Sequence, residues 1–183
     1  MHFSSLAILL SLSITSLAAP LDTHTVKRAT TKATGASVLT AGDYSTFQVS
    51  DGVAGNALAE VNAKFPIDTT NLASVSAADL AIISKAAQIS EDAETGTGGF
   101  NDAIAAAGGT NSAAGAPLQI GKIKNKVLKL QTDVLRIQIE TAQGNTKSSS
   151  QLATQQKKLA TNVALDVAQA GKTSKSVAFS GKD

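Results

Sequence analysis

Three groups of residues have types and spacings that bear on chemistry. Glu91, Asp92 and Glu94 form the densest acidic cluster of the chain, offering the oxygen donors that calcium takes or the pair of carboxyls that acid/base catalysis uses. Glu91 and Glu94 share a helix face and Asp92 does not, and no ligand loop of the EF-hand type follows, so the cluster also reads as a solvated helix end. Lys122, Lys126 and Lys129 lie on one face of a helix with Lys124 nearby, a basic surface that would hold phosphates or anionic lipid headgroups. The alternative for such lysines is plain solvation of the face opposite an apolar stripe. Ala170-Gly171-Lys172-Thr173 resembles the end of a phosphate-binding loop, but the position where that loop needs its first glycine is Asp166. A helix-ending glycine followed by a polar tail accounts for the same residues.

Composition removes most other chemistry. The 183 residues contain no cysteine and no tryptophan, and the two histidines are His2 and His24. Both histidines fall in segments expected to be cut away. The remaining chain would then lack imidazole and thiol, which excludes Ser-His-Asp and Cys-His relays and zinc, iron or copper centres of the usual kind. Carboxylate pairs, lysine, Tyr44 and oxygen-ligated calcium or magnesium stay open. No catalytic residue, cofactor or metal site is assigned on this basis. Aromatic residues make up 3% of the chain, too sparse to interleave with the lysines as base-stacking platforms, so specific nucleic-acid binding is not expected.

The expected cuts come from the amino-terminal third. Residues 3–17 form an apolar stretch interrupted only by Ser and Thr, shorter than the roughly 20 residues a membrane span requires. Small residues at Ser16 and Ala18 fit a signal-peptidase site, which places cleavage after Ala18 and predicts export. Residues 19–28 end in Lys27-Arg28, a dibasic pair of the sort cut by kexin-type proteases, making this a pro-segment. Thr, Ala and Gly dominate 29–42, so that stretch is expected to be flexible, and any glycan there would be O-linked because the chain has no Asn-x-Ser/Thr sequon. No transmembrane segment is expected after signal cleavage.

The elements that would position the candidate residues are helical. Tyr44, Phe47 and Val49 form a local apolar cluster before a turn at 50–52. Apolar steps of three and four predict helices over 54–64, stopped by Pro66, and over 77–93, capped by Ser76. A shorter helix follows at 101–107. The clearest period begins after Pro117, where Ile120, Ile123, Val127, Leu130, Val134 and Ile137 line one stripe and Leu128, Leu135 and Ile139 a second arc. A face this broad packs on more than one partner. Gly144 and Asn145 end that helix, and Leu152, Leu159, Val163 and Val167 mark another, closed by Gly171. The prediction is an all-α antiparallel bundle of about four helices over 43–171, with 172–183 frayed.

Charge is divided along the chain. Residues 29–110 hold three cations and nine anions, whereas 111–183 hold eleven cations and four anions. Either the two halves pack with complementary fields, or the protein has an acidic and a basic end.

The stretches DYSTFQVSDGVAGNA at 43–57, VSAADL at 75–80 and GKIKNKVLKL at 121–130 resemble a group of cysteine-free fungal small secreted proteins. The likeness runs from Tyr44 to Lys175. It implies an exported fungal protein, sometimes counted among effector candidates, and supplies no catalytic residues to carry over. The expected function is that of a secreted, non-enzymatic interaction protein, extracellular or associated with the cell wall, with a protein or polysaccharide partner. Its partner-binding surface would be the lysine face or the Tyr44/Phe47 region. The alternative is binding to a membrane or another polyanion through the basic amphipathic helix 118–142, and a carboxylate-dependent hydrolase stands third.

Overall fold

The computed structural model describes residues 35–181. Ala18, Lys27 and Arg28, with the leader and pro-segment expected there, lie outside the described residues. The protein is mostly helical: α1 (Tyr44–Phe47), α2 (Ala57–Lys64), α3 (Ala77–Thr95), α4 (Phe100–Ala106), α5 (Gly115–Ala142) and α6 (Leu152–Val167). Two short strands, β1 (Gly52–Val53) and β2 (Thr173–Ser174), pair antiparallel, Gly52 opposite Ser174 and Val53 opposite Thr173.

Helix α5 is the axis of the fold. Its 28 residues extend about 42 Å at ~1.5 Å per residue. Pro117 falls in the first turn, where a missing N–H costs nothing, and the Ser112 hydroxyl accepts the Gly115 amide at 2.8 Å. At the other end Gly144 adopts φ +90°. There the Asn145 amide returns to the Glu140 carbonyl at 2.8 Å and the Gly144 amide to Thr141 at 3.0 Å, a glycine-dependent closure that satisfies the last carbonyls. Between these ends Val127, Leu128, Leu130, Val134, Leu135, Ile137 and Ile139 are all buried. Each such side chain contributes roughly 1.5–3 kcal/mol, so this one helix carries much of the apolar stabilisation. Helices α2, α3, α4 and α6 all pack on it, as the breadth of its apolar surface predicts.

The main core joins α1, α2, α3 and α5 and contains Tyr44, Phe47, Phe65, Ile83, Ile89 and Ile139. Phe100 and Ile104 of α4 form a smaller core with Leu118. Helix α3 starts as expected, with Ser76 accepting the Asp79 amide at 3.0 Å. Helix α2 begins three residues later than the apolar period suggests. Gly55 stands at φ +116°, and the buried Asp166 carboxylate of the distant α6 accepts the amides of Gly55 (3.0 Å) and Ala57 (2.8 Å). A carboxylate on free N–H groups is a helix start, here supplied from 109 residues away. Helix α6, expected to run to Gly171, ends at Val167; the Gly171 amide instead bonds the Ala54 carbonyl at 3.1 Å.

Two segments expected to be loose are docked. Of the stretch 29–42, the described part is held at Asp79, whose carboxylate accepts the Ser37 hydroxyl at 2.7 Å and the amides of Val38 and Leu39 at 3.1 and 2.9 Å. Burial raises the Asp79 carboxyl, but these hydrogen bonds and that of Ser76 outweigh it and hold the group below the usual carboxylate range. The expected frayed tail is likewise a strap as far as Gly181. Its β2 residues pair with β1, the Ser176 amide bonds Asp51 at 2.7 Å, and the Gly181 carbonyl accepts the Tyr44 amide at 2.7 Å. Val177 and Phe179 pack against the core, Phe179 edge-on to Tyr44 with ring centroids 6.0 Å apart. Two apolar residues and the ribbon fix a tail whose composition is otherwise polar.

The strap crosses α5 at Gly121. A Cβ there would lie 2.0 Å from the Lys175 carbonyl oxygen and 3.1 Å from that of Ser50, while the Lys175 amide bonds Pro117 at 3.0 Å. On an unobstructed helix Gly→Ala stabilises by about 1 kcal/mol. Here the obstacle is backbone, so Gly121→Ala is expected to lower thermal stability, with a net loss of roughly 1–3 kcal/mol and a fall in Tm on circular dichroism. A rise in Tm would show that the strap does not seat on α5.

Candidate binding groove

The four lysines singled out in the sequence do not form a free basic face. Lys124 is completely buried on the other side of α5, where its ammonium donates to the carbonyls of Asp51 (3.0 Å) and Val53 (3.1 Å) and pairs with Glu60 at 2.9 Å. It ties β1 and α2 to the axis helix. The other three turn toward α3: Lys129 pairs with Glu91 at 2.6 Å and Glu94 at 2.8 Å, Lys126 with Glu94 at 3.3 Å, and Lys122 approaches Glu94 at 3.9 Å while donating to Asn101 at 2.6 Å. The acidic cluster and the lysine face, read separately in the sequence, are the two halves of one ionic interface. Asp92 faces away and is exposed.

Glu94 is the centre of that interface. Its side chain is 9% exposed; burial raises its carboxyl, and the ammonium groups of Lys129 and Lys126 more than reverse this, leaving it below the ordinary value. Burial likewise pushes Lys129 down, and hydrogen bonds and charge from Glu91 and Glu94 carry it above the usual lysine value. The complementary-field packing of the two halves thus has a specific location.

The Tyr44/Phe47 region is core, and so does not supply the partner-binding surface considered for it. Tyr44 is 1% and Phe47 6% exposed. The Tyr44 phenol donates to Asn125 at 2.8 Å, and the Asn125 amide donates to the Ser90 carbonyl at 2.7 Å. Burial pushes the phenol up to about 12, so it remains a donor throughout the ordinary pH range. The candidate phosphate loop is also structural: Gly171 stands at φ +81° with its amide on Ala54, Lys172 bonds Gln169 and Asp166 caps α2. Among the described residues no group of three or more acidic or histidine side chains could hold a metal ion.

What the fold leaves open is a groove. Helices α3 and α6 both lie against α5, and between them runs a cleft of about 730 Å³. Its walls are Ser84, Gln88 and Glu91 of α3 and Gln155, Lys158 and Asn162 of α6. Those residues recur at steps of three and four, which places each set on one helix face. The floor is the α5 stripe from Lys126 through Lys129, Leu130, Asp133 and Arg136 to Glu140. Arg136 is held between Asp133 at 2.8 Å and Glu140 at 2.9 Å.

Charges in and beneath the groove cancel. Lys126, Lys129, Arg136 and Lys158 stand against Glu91, Asp133, Glu140 and the adjoining Glu94. Uncharged hydrogen-bonding groups remain uncommitted. The side chain of Gln88 has no partner among the described residues, and Gln155 Oε1 is shielded from solvent without one; of the cations, Lys158 alone among the lining residues has no ion-pair partner. Sequence reasoning missed this groove because its walls come from polar stripes on two helices 71 residues apart between Ser84 and Gln155. Gln88 on α3 and the spacing of Gln155 and Asn162 on α6 were the available signal.

The chain belongs to the family described as a domain of unknown function, DUF8454, whose model matches residues 39–178. No curated protein and no solved structure matches it. The matched span begins at Leu39, the last residue of the segment docked on Asp79, and takes in the groove and most of the carboxy-terminal strap.

The two pKa shifts give a signed prediction. A carboxyl lowered in the fold stabilises above its unfolded pKa, about 4.3 for Glu, and that contribution is lost as pH falls through the folded value. A raised lysine contributes below about 10.4 and loses the contribution as pH rises through its folded value. The Glu94–Lys129 pair therefore supports stability on a plateau between these limits. Chemical denaturation across pH 3–11 is expected to show Glu94→Gln less stable than wild type on the plateau, with the gap narrowing below about pH 4. A gap independent of pH would remove the ionic role.

Proposed function

We propose that this is a secreted, non-enzymatic interaction protein, and that the α3/α5/α6 groove is its binding surface. In this reading the frame is an antiparallel bundle of about four helices, the leader is cut after Ala18, and Lys27-Arg28 is a processing site. The product then acts outside the cell or at the cell wall, as the resemblance to fungal small secreted proteins and effector candidates implies. The observation that carries the binding role is the groove itself. Three helices present polar side chains to one cleft, and an amide oxygen there is shielded without a partner, an arrangement that folding alone does not require.

Helix 118–142 acting on a membrane or polyanion has less support. The lysines it would use are matched by Glu60, Glu91 and Glu94, and release of α5 would expose eight large apolar side chains. That exposure costs on the order of 10 kcal/mol or more, comparable to the whole stability of a domain. Among the described residues no helix is long and apolar enough to cross a membrane.

Assay of the chain against a broad panel of hydrolase substrates is expected to give no turnover. Reproducible turnover abolished by Glu91→Gln or Glu94→Gln would replace the interaction role with carboxylate catalysis. Flotation with anionic liposomes is expected to show no association even at low ionic strength, whereas salt-sensitive binding would favour the lipid reading.

A further inference from the structure

The shape and chemistry of the groove restrict its occupant. The floor from Lys126 to Glu140 spans about 21 Å at ~1.5 Å per helical residue. A helical occupant would bond its backbone N–H and C=O groups internally and bring only its side chains to the side-chain amides of the walls. An extended chain over the same length instead presents free N–H and C=O groups to both walls. At ~3.3 Å per residue this is about six residues.

Charge and hydrogen bonding point the same way. Apart from Lys158, the charged lining residues are paired within the protein, so an anionic polymer gains the attraction of one free ammonium only, and an apolar occupant would strip water from seven charged groups without replacing it. Gln88 and Gln155 on opposite walls, with the free Oδ1 of Asn162, whose Nδ2 bonds Lys158, are side-chain amides. Each offers the donor and acceptor that a peptide backbone presents. The lining carries no aromatic ring on which a base or sugar could stack.

We infer that the groove binds an extended, polar polypeptide segment of about six residues and low net charge, pinned through its backbone by Gln88, Gln155 and Asn162. This rests on the groove being the binding surface. Its test uses the full chain, isotope-labelled, and a phage-displayed random dodecapeptide library. Synthetic copies of the enriched peptides are expected to shift the side-chain amide resonances of Gln88, Gln155 and Asn162. Their affinity should fall at least tenfold for the doubly substituted Gln88→Ala, Gln155→Ala chain, with circular dichroism unchanged. If cello- or chito-hexaose shifts those resonances and no peptide does, the polypeptide assignment is overturned while the groove remains the binding surface. If selected peptides map elsewhere, or no probe shifts the groove resonances, both readings are overturned. Gln88→Asn with Gln155→Asn, which keeps the amides on shorter stems, is expected to restore part of the affinity; no restoration would contradict backbone pinning.

Discussion

A chain without cysteine has to hold itself together by burial, and here burial is concentrated on one helix enclosed on several sides. Because α5 is covered by α2, α3, α4, α6 and the carboxy-terminal strap, 13 of its 28 residues are buried, polar ones among them. Lys124, Asn125 and Thr132 are completely buried, and each has its partner. Lys124 bonds Asp51, Val53 and Glu60; Asn125 links Tyr44 to Ser90; Thr132 donates to the Leu128 carbonyl at 2.8 Å. An unpaired buried ammonium would cost several kcal/mol, so these partners fix where β1, α1 and α3 must sit. The polar residues of α5 thereby select one arrangement from the many that apolar packing alone would allow.

The same constraint explains the uneven charge along the chain. Lysines on the α3-facing side of α5 meet the acidic end of α3, and Glu94 receives three of them. Segregation of sign between the halves is therefore a packing device, and it leaves the groove close to neutral. A surface whose ions, Lys158 apart, are already matched offers hydrogen bonds more than net charge, which shifts recognition toward ligands read by shape and by polar groups.

The helices were legible because their signals are local. Three- and four-residue steps in α5 and α3, the Ser76 cap and the Gly144-Asn145 stop can each be read within a window of about two turns. Long-range satisfaction was not legible. Asp166 starts α2 from α6, and Asp79 gathers residues 37–39, but an aspartate destined to accept distant amides looks like any surface carboxylate. The strap was missed because Val177 and Phe179 sit in a polar tail, and their docking depends on Gly121 as a gap in a different element. For the site, the residue types Glu91, Glu94 and Lys129 were visible and their mutual pairing was not. The α6 wall carried no marker beyond Gln155, Lys158 and Asn162 on one face.

Native-state hydrogen exchange followed by NMR addresses the central role of α5 most directly. Amides from Val127 to Ile139 are expected to exchange only through global unfolding, with protection equal to the full unfolding free energy, while those of α6 and of the β1–β2 ribbon open at lower cost. Exchange of the α5 amides as readily as those of α6, with maximal protection elsewhere, would contradict an architecture assembled around that helix.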